Sequence, residues 1–394
     1  MNRLPDELWR GIAGFMDHPT LCAWRLTCTR NACNYDQQLK TLYIKSDTKI
    51  TTDDLSTLTY LTELSLYDAR NKTGLCMVVS KLVSLTTLHT YSGVTNEDIM
   101  QLTALTSLSL MHNVSVTAVS LNRLQYLYLH DDIMIPGKDI MSLSSLTSLT
   151  LSGNHTVFNW HITAMTNLQI LSIGYDEHIS MLPCGITSLD ISSRNLIRDD
   201  AILALPLTTL KLRYNNVISG ATVSKLTGLT LLDLSYADRM NDAELAVLTN
   251  LHTLNLNHNH SITSVGIHDL TNLTSLRIRD CLYVDDTGIR ALTRLQYLSM
   301  GSRKGICPWS HVMPMLTRLK LQSPYSGGTG DDDLRRDNAC VSLTTLDVRR
   351  CSDLDILDLP HISTLQTIIV RAPGLPGEYG ALRSNSQARI IKRT

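Results

Sequence analysis

Aromatic residues make up only 5% of the 394-residue chain, and phenylalanine occurs twice. A compact globular core draws bulk from rings, so their scarcity points instead to aliphatic layers of Leu and Ile. Cysteine pairing is lacking as well. The nine cysteines, at 22, 28, 33, 76, 184, 281, 307, 340 and 351, are odd in number and contain no C-x-x-C pair, which excludes a dense disulfide scaffold and reads as reduced thiols. No apolar run approaches the length of a membrane helix, and Asp6 and Glu7 stand where a signal peptide needs apolar residues. The expectation is a soluble, intracellular protein. Net charge is nearly absent, with 35 Lys+Arg against 36 Asp+Glu, so any electrostatic specificity has to be local.

What the sequence has in abundance is one motif, L-x-x-L-x-x-L-x-L. It reads LTYLTELSL at Leu58 to Leu66, LTALTSLSL at Leu102 to Leu110 and LTNLHTLNL at Leu248 to Leu256. The first residue of each final L-x-L pair falls at Leu42, Leu64, Leu88, Leu108, Leu127, Leu149, Leu171, Leu189, Leu210, Leu232, Leu254, Leu276, Leu298, Leu319, Leu346 and Ile368. Most steps are 22 residues, with extremes of 18 and 27. This period and consensus resemble leucine-rich repeats. The resemblance implies an α/β solenoid of about 16 coils over residues 39–371, with one short parallel strand per coil on a concave sheet and a C-terminal tail or cap at 372–394. Alternation turns both leucines of L-x-L inward, and each coil buries them only against its neighbours. The stretches NDAELAVL (Asn241 to Leu248) and DDTGIRAL (Asp285 to Leu292) predict short capped helical turns on the opposite side.

Five residues after the first strand leucine stand Asn113, Asn154, Asn215, Asn259, Cys281 and Cys351, the expected internal ladder that satisfies backbone groups at the turn. His258-Asn259-His260 matches a nuclease motif in letters only, because Asn259 falls on that ladder. SGGTG at Ser326 to Gly330 has no Gly-Lys-Ser/Thr after it, and Asp331 to Asp333 lack calcium-loop spacing. His161, His178, His268 and His311 have no partner at ligand spacing. The expectation is therefore no enzyme, no metal and no cofactor.

The first 38 residues differ from the rest. Leu8, Ile12 and Phe15 recur at helical spacing, Asp17-His18-Pro19-Thr20 interrupts, and a second helical run carries Leu21, Trp24, Leu26 and Cys28. So short a segment cannot bury enough surface to stand alone. It either caps the first coil or docks on a partner. The order L-P-D-E-L, Ile12, Phe15-Met16, Leu21-Cys22, Arg25 and Thr27-Cys28 resembles an F-box. That resemblance implies docking to a Skp-type adaptor of a cullin complex through Leu4, Pro5, Leu8, Ile12, Leu21 and Cys28. An F-box followed by repeats in turn implies the substrate-recognition subunit of a ubiquitin ligase, a monomer within a hetero-complex. The alternative is a repeat scaffold whose N-terminal helices only cap the solenoid.

Strand alternation also nominates a target-binding face. Its first half carries Tyr43, Tyr67, Tyr91, Tyr126 and Tyr128 with His89 and His130. Its charged residues are Lys45, Glu63 and Asp190. The second half carries Lys211, Arg213, Arg277, Arg279, Arg318, Lys320, Arg349 and Arg371 against Asp233 and Asp347. Such a concentration of cations suits an acidic or phosphorylated protein segment. Nucleic acid is disfavoured because the rings stand apart from the basic residues. The 27-residue step predicts a bulging loop at 323–338.

Overall fold

The computed structural model describes residues 40–45, 50–68, 73–91, 93–119, 121–131, 134–153, 155–175, 178–193, 195–301, 313–322, 342–350, 364–371 and 389–393. The six adaptor candidates, the loop at 323–338, Asn154, His311 and Cys351 lie outside the described residues. Contacts divide the chain into two units, Met1–Ile186 and Thr187–Thr394.

In the first unit the strands are β1 (Thr41–Lys45), β2 (Glu63–Asp68), β3 (Thr87–Thr90), β4 (Ser107–Met111), β5 (Tyr126–His130), β6 (Ser148–Ser152) and β7 (Ile170–Gly174). Each pairs in parallel with the next, in the register Leu42↔Leu64, Leu64↔Leu88, Leu88↔Leu108, Leu108↔Leu127, Leu127↔Leu149 and Leu149↔Leu171. The second unit continues the pattern with β8 (Ser188–Asp190), β9 (Thr209–Lys211), β10 (Leu231–Asp233), β11 (Thr253–Asn255), β12 (Ser275–Ile278), β13 (Tyr297–Gly301), β14 (Arg318–Gln322), β15 (Thr345–Arg350), β16 (Thr367–Arg371) and β17 (Arg389–Arg393). These also pair in sequence and in parallel. The repeat register read from the leucines is thus the pairing register. Strand β17 departs from expectation: it extends the sheet into the segment expected to be a tail or cap, with Ile390 beside Ile368. The run before it lacks the L-x-x-L signature that marks other coils.

The aliphatic layers behave as the composition requires. Leu42, Leu64, Leu88, Leu108, Leu127 and Leu149 are at most 2% exposed, as are Leu210, Leu232, Leu254, Leu276, Leu298 and Leu319. Threonine two residues before the strand leucine has its own physical reason. Thr62 Oγ1 donates to Lys40 O, Thr86 Oγ1 to Thr62 O and Thr106 Oγ1 to Thr86 O, so the hydroxyl reaches back one coil to a carbonyl at the strand entry. Thr208, Thr230, Thr274, Thr317 and Thr344 repeat the contact in the second unit. Each such bond contributes about 1 kcal/mol.

Opposite the strands, each unit carries short helical turns. The two nominated by sequence form as Asp242–Ala246 and Asp286–Ile289. Asn241 and Glu244 close a capping box on the first, as Thr51 with Asp54 and Thr95 with Asp98 do on earlier turns. His161, which sequence left without a role, does similar work. It is 4% exposed, its Nδ1 accepts from Phe158 N–H at 3.0 Å, and burial pulls its pKa below the usual imidazole value. A Cβ at Gly137 would come within 2.5 Å of that ring, so the position requires glycine.

Candidate functional site

The face is assembled one residue at a time by the turn that ends each strand. Four residues after the first strand leucine, nine of the described coils have a residue in the left-handed conformation: His112, Asp131, Gly153 and Tyr175 in the first unit, and Ser193, Tyr214, Tyr236, His258 and Asp280 in the second. The next residue then points into the core and serves the ladder. Asn113 Nδ2 donates to Val94 O at 3.1 Å while its Oδ1 accepts from Ser115 N–H and Val116 N–H. Asn215 makes the same three contacts one way to Ile191 O and the other to Val217 and Ile218. Asn259 is fully buried and bonds Ala237 O, Ser261 N–H and Ile262 N–H, and Cys281 Sγ donates to Leu256 O. The ladder role of these four residues is therefore observed, and Asn259 is committed to it rather than to nuclease chemistry.

A left-handed backbone is costly for a residue with a Cβ, so a ring there is not a default choice. In the second unit three coils in succession accept it. Tyr214 stacks on Tyr236 with centroids 4.3 Å apart, and Tyr236 on His258 at 4.2 Å. Arg213 lies over both tyrosines, at 5.0 and 5.6 Å, and Arg277 lies over Tyr297 at 5.2 Å. Burial lowers the pKa of His258, against the opposing pull of Asp280 3.4 Å away. Sequence reasoning missed these rings because it examined strand positions alone. The signal was available as a second column, one residue ahead of the asparagine ladder. Rings and cations do interleave here, which corrects the expectation that they stand apart and removes the geometric reason for disfavouring nucleic acid.

The cations are also less free than their count suggests. Lys211 Nζ is 3.5 Å from Asp190, and Arg279 Nε is 3.0 Å from Asp280. Asp347 is only 8% exposed, so it does not stand out on the face as strand alternation implied. Arg277, Arg318 and Lys320 come together around a depression of about 420 Å³ that Asp347, Gln296, Tyr297 and Thr317 also line. This three-cation depression is the strongest candidate for an anionic ligand in the second unit. Arg349 and Arg371 belong to β15 and β16, but their side chains lie outside the described part.

The first unit presents a more neutral surface. A depression of about 510 Å³ is lined by Ser65, His89, Ser109, Tyr126, Tyr128 and Thr150 among others. Tyr126 is 48% exposed at its rim, and small hydroxyl side chains give the floor room for a partner's side chain. Burial lowers the pKa of His89, against the opposing charge of Glu63. Tyr43 is 46% exposed but is tethered by its Oη, which donates to Glu63 Oε1 at 2.6 Å and thereby raises the tyrosine pKa. Tyr91 sits apart from that depression, 5.0 Å from the His112 ring. Lys45 and Tyr67 lie on β1 and β2 with side chains outside the described part.

No family model matches the chain, and no curated protein matches it. Solved structures do. The complex of Rad7 and Elc1 in yeast is similar at 19% identity over 79% of this chain and 90% of that one, with a TM-score of 0.52. The TLR13–ssRNA13 complex is similar at 16% identity over 86% of this chain and 60% of that one, also at 0.52. The internalin InlF of Listeria monocytogenes is 21% identical over 68% of this chain and 88% of that one, at 0.44. At these identities the likeness is one of fold. Together with one parallel strand per coil and an internal ladder, the first two make the chain an α/β leucine-rich-repeat solenoid.

Proposed function

We propose that the chain is the substrate-recognition subunit of a cullin-type ubiquitin ligase, with the N-terminal segment docking to a Skp-type adaptor and the strand face holding a protein target. The observation that carries this reading is the order of residues in the first 30 positions, Leu4-Pro5, Leu8, Ile12, Leu21 and Cys28, placed directly ahead of the first repeat. The fold is compatible with it, since Rad7, a structure of the same fold, was crystallised in a complex with Elc1. In this role the chain breaks and forms no bonds. It supplies proximity, holding a target lysine within reach of a charged conjugating enzyme. The target is an acidic or phosphorylated segment seated on Arg277, Arg318 and Lys320 of the second unit; the tyrosines of the first unit are an apolar anchoring surface of that unit by itself.

The test is recovery of partners from eukaryotic cells expressing either the full chain or a chain lacking residues 1–38. The full chain is expected to bring down a Skp-type adaptor and a cullin, and the shortened chain neither. Recovery of both by the shortened chain, or of neither by the full one, leaves a repeat scaffold with a helical cap.

A further inference from the structure

At the end of β5 in the first unit, two imidazoles and a carboxylate converge. His112 Nε2 is 3.2 Å from Asp131 Oδ2, and His130 Nδ1 is 2.6 Å from the same oxygen. All three ligand atoms lie within 4.8 Å of one another. We propose that His112, His130 and Asp131 form a binding site for one divalent transition-metal ion of the zinc class.

The repeat geometry builds this cluster. Met111 pairs with His130 across β4 and β5, so His112 and Asp131 follow as equivalent residues of adjacent coils, both in the left-handed conformation. The backbone fixes both: His112 N–H donates to His130 O at 3.0 Å, and Asp131 N–H donates to Ser152 O at 2.9 Å. Rings wall the site, with Tyr91 5.0 Å from His112 and Tyr128 nearly parallel to His130 at 6.0 Å. The next coil keeps clear, because it has Gly153 where a Cβ would press to 3.0 Å from Asp131 Oδ1.

Two features distinguish this cluster from a surface ion pair. His130 Nδ1 is buried and forms no hydrogen bond, although Asp131 Oδ2 lies 2.6 Å away. A buried ring nitrogen without a hydrogen bond is costly, and a metal would satisfy its lone pair. Ligands at zinc-like bond lengths of about 2.0–2.1 Å in a tetrahedron stand about 3.3 Å apart, which the 3.2 Å between His112 Nε2 and Asp131 Oδ2 matches, while the 2.6 Å between His130 Nδ1 and that oxygen has to widen as an ion enters between them. Imidazole with carboxylate favours zinc, cobalt, nickel or copper over calcium or magnesium. Three protein ligands leave a fourth position, and the side chains of His112 and Asp131 are 38% and 35% exposed, so that position opens to solvent.

The test uses the full, untagged chain, stripped of metal and titrated with Zn²⁺ by calorimetry, with Co²⁺ as a visible reporter of coordination. One ion per chain is expected, with an affinity in the micromolar range or tighter. His112→Ala and Asp131→Asn should each weaken it at least tenfold, whereas His258→Ala, which removes a different His–Asp pair, should leave it unchanged. His112 is partly exposed, so its variant tests the site even if Asp131→Asn fails to fold. Wild-type binding that does not saturate by about 100 µM, or that survives in His112→Ala, overturns the assignment.

Discussion

Reversing Arg277, Arg279 and Arg318 to Glu is expected to weaken capture of an acidic or phosphorylated segment about thirtyfold at about 50 mM salt, with the deficit shrinking as salt rises. Arg277 and Arg318 line the same depression as Lys320, so a phosphate or carboxylate there meets several cations at once. An exposed ion pair contributes up to about 1 kcal/mol, and reversal converts attraction into repulsion, so three changes amount to about 2 kcal/mol or more. Arg279 contributes least, because Asp280 already engages it. Salt dependence follows from screening of exposed charges over about 10 Å at 0.1 M. The measurement is binding of a phosphopeptide library to immobilised full chain at two salt concentrations. Normal capture by the triple variant at low salt removes the basic face from the mechanism, and preferential capture of single-stranded nucleic acid by the wild type reassigns the ligand, using the Tyr214–Tyr236–His258 stack beside Arg213 as its platform.

Asn259→Ala is expected to destabilise its part of the second unit by about 3–5 kcal/mol. The side chain is 0% exposed and serves Ala237 O at 2.6 Å, Ser261 N–H at 3.1 Å and Ile262 N–H at 3.0 Å. Truncation leaves two buried backbone groups, at Ala237 and Ile262, and a half-buried one at Ser261 without partners, the buried ones at about 1–3 kcal/mol each before relaxation. Repeat arrays do not always unfold as one cooperative unit, so the decisive readout is hydrogen exchange at the Ser261 and Ile262 amides together with the urea midpoint. Protection unchanged at those amides contradicts a structural role for the ladder. His260, exposed on the same turn, provides the contrast: His260→Ala should change stability by no more than about 0.5 kcal/mol.

The repeat register was readable before any coordinates because L-x-L alternation has one solution once a face is buried. A slip by one residue would put every leucine outside. The ladder was readable for the same reason, as a polar residue at a fixed distance from a buried strand has to serve the backbone. The candidate face was only partly legible. Lys211, Arg277, Arg318 and Lys320 follow from alternation, as does Asp190 opposite Lys211, but Asp280 engages Arg279 from a turn position that strand parity does not encode. The rings at Tyr214 and Tyr236, and the cluster at His112 and Asp131, escaped because they occupy turn positions where side-chain direction depends on a left-handed backbone. Strand β17 escaped because Ser384 and Gln387 stand where the other coils carry L-x-x-L ahead of the strand.

The most direct test of the central claim is a titration of purified Skp-type adaptor into the full chain and into a Pro5→Ala, Ile12→Asp double variant, followed by calorimetry. The wild type is expected to form a one-to-one complex, and the variant to show no detectable binding while keeping its circular dichroism spectrum, since a solenoid's stability is mostly a sum over neighbouring coils. Equal adaptor binding by both proteins, or binding by neither, contradicts the account.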